Sequence, residues 1–329
     1  IYDQTSWQSI CDDGGLFVGF GGLPLKNAQI NQGGTGGHVQ KGFVAAAHHA
    51  GVEFVNISPL AADMPDAVKA DWLAIRPNTD TALILGLCYT LLDEGLQDAE
   101  FLDRCCSGFD IFDAYLRGTV DGRTKSADWA ATICGLPADD IRDLARRMAR
   151  TRTMISLSWS LTRQAYGEQP MWAGIVLAAM LGQIGLPGGG IGIGYSAVNR
   201  VGYDLNRVSF ASVPQGINAV KEFIPVARIA DMLLQPNSPF DYNGGHYSYP
   251  DIQLIYWAGG NPFHHHQDLA RLTQAWQKPE TVISHEWCWN ALARHSDIVL
   301  PVTTPVERRD IAMTPLDPYL VSMEPAIEP

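Results

Sequence analysis

Gly259-Gly-Asn-Pro262 follows the apolar run Leu254-Ile-Tyr-Trp-Ala258 and precedes Phe263 and a polar stretch, His264-His-His-Gln-Asp268. A strand that runs into paired glycines leaves peptide N–H groups bare at the carboxyl edge of a sheet, where phosphates and pterins dock. A related strand-to-turn unit, Leu16-Phe-Val-Gly-Phe-Gly-Gly-Leu-Pro24, stands near the start of the chain. Its glycines allow close approach of backbone to a ligand; a tight structural turn is the competing reading. The unit lacks the G-x-G-x-x-G spacing, so a plain dinucleotide fingerprint is not supported. Two cradles in one chain point to a large cofactor that carries nucleotide.

Further segments supply polar groups at expected strand ends. Asn56-Ile-Ser-Pro59 is followed, one crossover later, by Arg76-Pro-Asn-Thr-Asp80. An acidic residue at a helix start ordinarily caps that helix. The chemical alternative is that Asp80 accepts from a guanine N1–H and amino group, a pair of donors that suits a carboxylate. Ser158-Trp-Ser160 leads through Arg163 to Gly167-Glu-Gln169. Arg163 reads either as a surface arginine or as a donor to a phosphate or pterin. His285-Glu-Trp-Cys-Trp289 ends the strand after the Gly259 turn, and Arg294-His-Ser-Asp297 precedes Ile298. Polar groups from adjacent strand ends would rim one crevice. Three consecutive histidines cannot all face one way on a helix, which argues against a metal site built from them alone. A hydrogen bond from one of them to a polar cofactor is the simpler reading.

Strands and helices must hold these turns. Residues 16–20, 52–57, 154–157, 252–257, 281–284 and 298–301 read as strands, and 42–50, 79–92, 136–150, 167–183, 226–234 and 267–276 as helices. In the third helix Ile141, Leu144, Ala145 and Met148 recur at helical spacing, with arginines opposite and towards the carboxyl end. The fourth is expected to end at Gly185-Leu-Pro-Gly-Gly-Gly190, a C-cap followed by a breaker. Residues 192–223, rich in Gly, Ser and Asn, are expected to form a loop that carries a domain boundary. The alternation predicts an α/β fold with mostly parallel sheets and helices on both faces. Two Rossmann-like domains are expected, residues 1–205 and 206–329, the second one partial.

Composition excludes several classes. Hydrophobic residues at 46% against charged residues at 18% give an ordinary globular balance with sizeable cores. A length of 329 residues suffices for two domains. The net charge of −12 and the absence of a basic run argue against nucleic-acid binding through a charged face. Any phosphate site must therefore rely on local donors. The cysteines, Cys11, Cys88, Cys105, Cys106, Cys134 and Cys288, form no C-x-x-C pair and fit neither a zinc site nor a disulfide framework. They read as buried or idle thiols and lean towards a reducing compartment. The longest apolar run, 171–181, is too short to span a bilayer, and no signal peptide opens the chain. With Ile in first position, the chain reads as a piece of something larger.

Taken in order, these segments resemble the molybdopterin oxidoreductases of the dimethyl sulfoxide reductase family, in the branch of biotin sulfoxide, trimethylamine N-oxide and dimethyl sulfoxide reductases. The stretches that carry the resemblance are Trp159-Ser-Leu-Thr-Arg-Gln-Ala-Tyr-Gly-Glu-Gln169, Leu181-Gly-Gln-Ile-Gly-Leu-Pro-Gly-Gly-Gly190, Tyr256-Trp-Ala-Gly-Gly-Asn-Pro-Phe263, and Ala293-Arg-His-Ser-Asp-Ile-Val-Leu-Pro301 with Glu307-Arg-Arg-Asp310. The resemblance implies a bis(molybdopterin guanine dinucleotide) cofactor with molybdenum. By position it implies that Gly22, Pro24, Ser58, Asn78, Thr79 and Asp80 hold one guanine dinucleotide, with Trp159, Ser160 and Arg163 against its pterin end. Gly259, Gly260, Asn261, Pro262, His266, Gln267, His285, Glu286 and Asp297 hold the other. The family often carries Gln-Asp where this chain has His285-Glu286.

The resemblance further implies a central fragment of a bacterial S-oxide or N-oxide reductase. In the intact enzyme, reduced molybdenum takes oxygen from the substrate, and an electron donor protein or reductant resets it. The serine ligand to the metal belongs to a region before the first cradle. Neither a catalytic residue nor a metal ligand is therefore assigned here, and the piece alone is expected to be inactive. The expected compartment is the bacterial cytoplasm, with the periplasm as alternative. Two other functions share the pattern: a non-catalytic cofactor-binding or assembly module, and a nicotinamide-dependent dehydrogenase, which would need the missing glycine spacing.

Overall fold

The computed structural model of the chain describes residues 4–29, 37–195, 197–198, 201–203, 213–221, 223–313 and 319–329. The chain divides into two compact units, Ile1–Ser209 with Ala312–Leu320, and Phe210–Ile311 with Val321–Pro329.

Apolar runs without alternation make strands buried on both sides, and the first unit is built on them. Its strands are β1 (Leu16–Phe20), β2 (Glu53–Ile57), β3 (Asp71–Leu73), β4 (Thr153–Leu157) and β5 (Gly190–Ile193). They pair in parallel in the order β3-β2-β1-β4-β5. Every residue of β1 and β4 is buried. The helices are α1 (Trp7–Asp13), α2 (Gln40–His49), α3 (Asp80–Asp93), α4 (Ala99–Cys105), α5 (Phe109–Leu116), α6 (Ala127–Cys134), α7 (Ala138–Arg150) and α8 (Glu168–Met180).

Leu16, Val18 and Phe20 point to one face and pack with Leu83, Leu87, Leu144, Met148 and Leu177 of α3, α7 and α8. Phe17 points to the other face, where its ring stacks on Trp7 of α1 at 5.4 Å. Helices thus cover both faces, and the strand order reverses between β1 and β4. Ligands of open α/β sheets bind outside the carboxyl ends at such a switch point.

The second unit carries a hairpin, β6 (Pro239–Tyr242) with β7 (Gly245–Ser248). Its parallel sheet has the order β10-β9-β8, built from β8 (Leu254–Ala258), β9 (Thr281–Glu286) and β10 (Ile298–Pro301). Short helices α9 (Ile229–Leu234), α10 (Pro262–His265), α11 (Leu269–Ala275) and α12 (Ala291–Arg294) supply Leu233, Phe263, Leu272 and Leu292 to its core, joined by Val282 of β9. The opposite face of the sheet carries Leu254, Tyr256, Ile298 and Leu300, which are 55%, 58%, 46% and 37% exposed.

Three sequence expectations change. The helix expected over 167–183 ends at Met180, because Gly182 turns left-handed (φ 65°) directly against the Asp98 carboxylate. The loop expected over 192–223 starts later: Gly190–Ile193 is a fifth strand, in which Gly192 leaves room for the Tyr195 ring. Much of the remaining segment lies outside the described residues. The helix expected over 267–276 is α11 alone, entered at a left-handed Asp268 (φ 51°) that caps it.

Candidate functional site: strand-end cradles in each unit

In the first unit the parallel ladder runs on into the strand-end loops. The Gly21 N–H donates to Ile57 O (2.8 Å), Ser158 N–H to Phe20 O (2.9 Å) and Gly194 N–H to Leu157 O (3.1 Å). These bonds place Gly21-Gly22, Ser58 and Ser158-Trp159 along one carboxyl edge. A Cβ at Gly22 (φ 71°) would lie 2.4 Å from the Asp63 carbonyl oxygen. The Gly21-Gly22 turn is therefore packed against its neighbouring loops, and Pro24 beside it is buried.

Hydroxyls at this edge are committed locally. Ser58 Oγ donates to Asp63 Oδ2 (2.7 Å) and accepts from the Leu60 N–H (3.2 Å). Ser158 Oγ lies 3.0 Å from Ser160 Oγ. Trp159 packs on Gly194, where a Cβ would come within 2.7 Å of the indole Nε1. Ser160 and Arg163 are exposed, and the Arg163 guanidinium has no partner among the described residues.

Asp80 stands apart from these. The loop after β3 turns left-handed at Asn78 (φ 63°), and Thr79 takes the N-cap position of α3. Thr79 does not cap the helix: its hydroxyl donates back to Arg76 O (2.6 Å). Asp80 follows as the first helical residue, 4% exposed. Its carboxyl is pushed up from 3.8 to about 6 by burial, partly offset by its own backbone N–H. The capping reading from sequence is thus replaced by a buried carboxylate that no cation neutralises among the described residues.

The second unit gathers a cavity of about 630 Å³ at the carboxyl end of its sheet. Gly259, Gly260, Asn261, His285 and Glu286, all expected from sequence, line it. Gly259 and Gly260 take φ of 80° and 70°, yet a Cβ on either would meet nothing within 4 Å. This turn faces open space, unlike the one at Gly21-Gly22. Asn261 Oδ1 accepts from the Phe263 N–H (3.0 Å) and starts α10, with Pro262 buried behind it. Glu286 is 7% exposed and accepts from Asn290 Nδ2 (2.6 Å). Next to it, the Tyr256 hydroxyl and His285 Nε2 share a short hydrogen bond across β8 and β9.

The cavity also contains His264 and His265, of the histidine cluster from which the sequence reading assigned only His266, and Asn290, which it passed over. The spacing of Asn290, four residues after Glu286, was the available signal. Four expected residues are not in its lining, the buried Pro262 being one. His266 caps the end of α10, and burial with neighbouring His265 holds its imidazole below the usual value. Gln267 is exposed. Asp297 lies at the other edge of the sheet: its Oδ2 accepts from the Val282 N–H (2.8 Å) near the start of β9. A residue that precedes a strand sits at the amino edge, which is why Asp297 is separated from Glu286.

A doubly wound sheet with polar groups at its switch point, and a glycine turn over a cavity in a second parallel sheet, are places where α/β proteins receive ligands. The family model for molybdopterin oxidoreductase matches residues 5–329, and the chain belongs to that family. It is 48% identical over 321 residues to a biotin sulfoxide reductase of Cereibacter sphaeroides, covering 98% of this chain and 43% of the relative. A dimethyl sulfoxide/trimethylamine N-oxide reductase of the same organism is 43% identical, and the match covers 94% of this chain and 39% of the relative. A trimethylamine-N-oxide reductase of Haemophilus influenzae is 41% identical, with 95% of this chain and 39% of the relative covered. The chain thus spans about two fifths of these relatives. In fold it is similar to acetylene hydratase from Pelobacter acetylenicus, with a TM-score of 0.61 at 18% identity over 99% of this chain and 45% of that one. Among the described residues, no helix is long and apolar enough to cross a membrane.

Proposed function

We propose that this chain is the cofactor-binding middle of a molybdenum-dependent S-oxide or N-oxide reductase, and that each unit holds one guanine dinucleotide arm of a bis(molybdopterin guanine dinucleotide). The observation that carries this reading is a buried carboxylate in each unit, Asp80 and Glu286, beside a strand-end turn and without a cation among the described residues. A guanine presents adjacent N1–H and amino donors, which a carboxylate accepts. The open turn at Gly259-Gly260 fits a diphosphate lying on bare peptide N–H groups.

In the first unit Gly22, Pro24, Ser58, Asn78, Thr79 and Asp80 shape the nucleotide end. Trp159, Ser160 and Arg163 offer an aromatic face, a hydroxyl and a guanidinium to the pterin end. In the second, Gly259, Gly260, Asn261, His285 and Glu286 do the corresponding work, with Asn290 orienting Glu286. When bound, the cofactor supplies the two-electron chemistry that removes oxygen from the substrate. The electron donor is a separate protein or reductant. A cytoplasmic setting accords with the scattered free cysteines.

Titration of the purified chain with guanosine monophosphate tests the reading. Two sites per chain are expected, one weakened by Asp80→Ala and the other by Glu286→Ala, each by about 1–3 kcal/mol for a lost charged hydrogen bond. Binding of nicotinamide nucleotide in place of guanine nucleotide, or two sites indifferent to both substitutions, would overturn it.

A further inference from the structure

From Pro170 to Met180, α8 carries no polar side chain. A helix that is apolar all round belongs in an interior. Leu177 and Met180 are buried in the core of the first unit, but Trp172 and Ile175 are 65% and 45% exposed. On α5, likewise, Leu116 is buried and Ile111 is 71% exposed. Both helices pack against α3. A cavity of about 630 Å³ is lined by Leu85 of α3, Phe109 and Phe112 of α5, and Trp172 and Val176 of α8. It shares Leu102, Cys106, Gly108 and Phe109 with a smaller recess of about 300 Å³. Asp103 and Asp110 line that recess, and no cation pairs with either among the described residues.

We propose that this groove is the docking site of a separate protein that presents a basic amphipathic helix. The apolar stripe of such a helix seats on α5 and α8, with Trp172 as the aromatic anchor. Trp172, Val176 and Ala179 stand four and then three residues apart along α8, a ridge spacing that interdigitates with that of another helix. A Lys or Arg beside that stripe reaches the recess and meets Asp103 and Asp110. Charge fixes the sign of the partner. Unpaired carboxylates next to an apolar centre favour a cationic helix and repel an acidic one, and a second copy of this chain, at a net charge of −12, is acidic. Burial of the indole and the isoleucines supplies most of the affinity, while the carboxylates select the partner. None of these residues belongs to the strand-end cradles, so the inference is independent of the nucleotide reading.

Fluorescence anisotropy on the full chain tests it. The probe is a labelled leucine–lysine peptide of about 18 residues, roughly five helical turns, and its control has the same composition in scrambled order. The amphipathic order is expected to bind more tightly by about tenfold. Ile111→Glu with Trp172→Glu should remove that preference, whereas Trp172→Phe should keep it. These side chains are mostly exposed, so melting curves should match the parent. Asp103→Asn with Asp110→Asn should weaken binding by about fivefold. Asp12→Asn with Asp13→Asn, an equal loss of charge from α1 on the other face of the sheet, should not. Equal binding of the two peptides, binding that ignores Ile111→Glu with Trp172→Glu, or equal effects of the two Asn pairs overturns the inference. Self-association that disappears in the doubly Glu-substituted chain would give the groove to a second copy. Failure of the intact enzyme to bind the peptide would give it to that enzyme's own polypeptide. Either outcome overturns the inference as well.

Discussion

Asp80 shows how a buried carboxyl can cost the fold that carries it. Its carboxyl titrates at about 6 in the folded chain and near about 4 in an unfolded one. Between those values the folded chain keeps a proton that the unfolded chain has released. Stability therefore falls as pH rises through that window and stays lower above it, by on the order of 3 kcal/mol at neutral pH. Asp80→Asn should accordingly stabilise the ligand-free chain against urea at about pH 7.5 and make little difference at about pH 4. An equal effect at both pH values would show that burial of the charge is not the cause. If Asp80 holds a guanine as proposed, nucleotide affinity in the first unit should move the other way, strengthening as the carboxylate forms, in keeping with the trade-off between stability and function. The residue types at this site were readable in the sequence, Asp80 among them. That it is buried with no cation facing it among the described residues was not, since that depends on how the loop after β3 folds.

At the scale of elements, α7 is tied to the sheet edge that leads to Asp80. Arg147 donates to Glu53 Oε2 of β2 and to Asp71 Oδ2 of β3, both at 2.6 Å. β3 is a three-residue edge strand, and this clamp ties it to α7 beside its pairing with β2. The two carboxylates are mostly exposed, and their combined contribution is discounted to about 1 kcal/mol. Arg147→Ala should lower stability by that amount and speed amide exchange of Ser58, whose N–H donates to Leu73 O. Unaltered exchange at Ser58 would assign β3 to packing alone. β1 was legible as an apolar run and β4 through Met154-Ile-Ser-Leu157, and α7 through its stripe at Ile141, Leu144, Ala145 and Met148. β3 and β5 were not. One is too short to show a period, and Gly190-Ile-Gly-Ile193 reads as a turn until Tyr195 is seen to occupy the space its glycine leaves. Asn290 escaped for a related reason, since it reaches the cavity from a turn before α12 and from no strand end.

For the molecule as a whole, the sheet face bearing Leu254, Tyr256, Ile298 and Leu300 sets apolar attraction against a net charge of −12. Parallel sheets ordinarily have both faces covered, and exposed apolar patches draw copies of a chain together. Like charge keeps those copies apart only over a screening length of about 30 Å at 0.01 M salt, shrinking to about 8 Å at 0.15 M. Colloidal behaviour should therefore be governed by ionic strength. Static light scattering is expected to report single particles in dilute buffer and growing clusters as sodium chloride is added, with Leu300→Lys suppressing the growth. Scattering that stays flat across the salt series would mean that charge is not what keeps this surface dispersed.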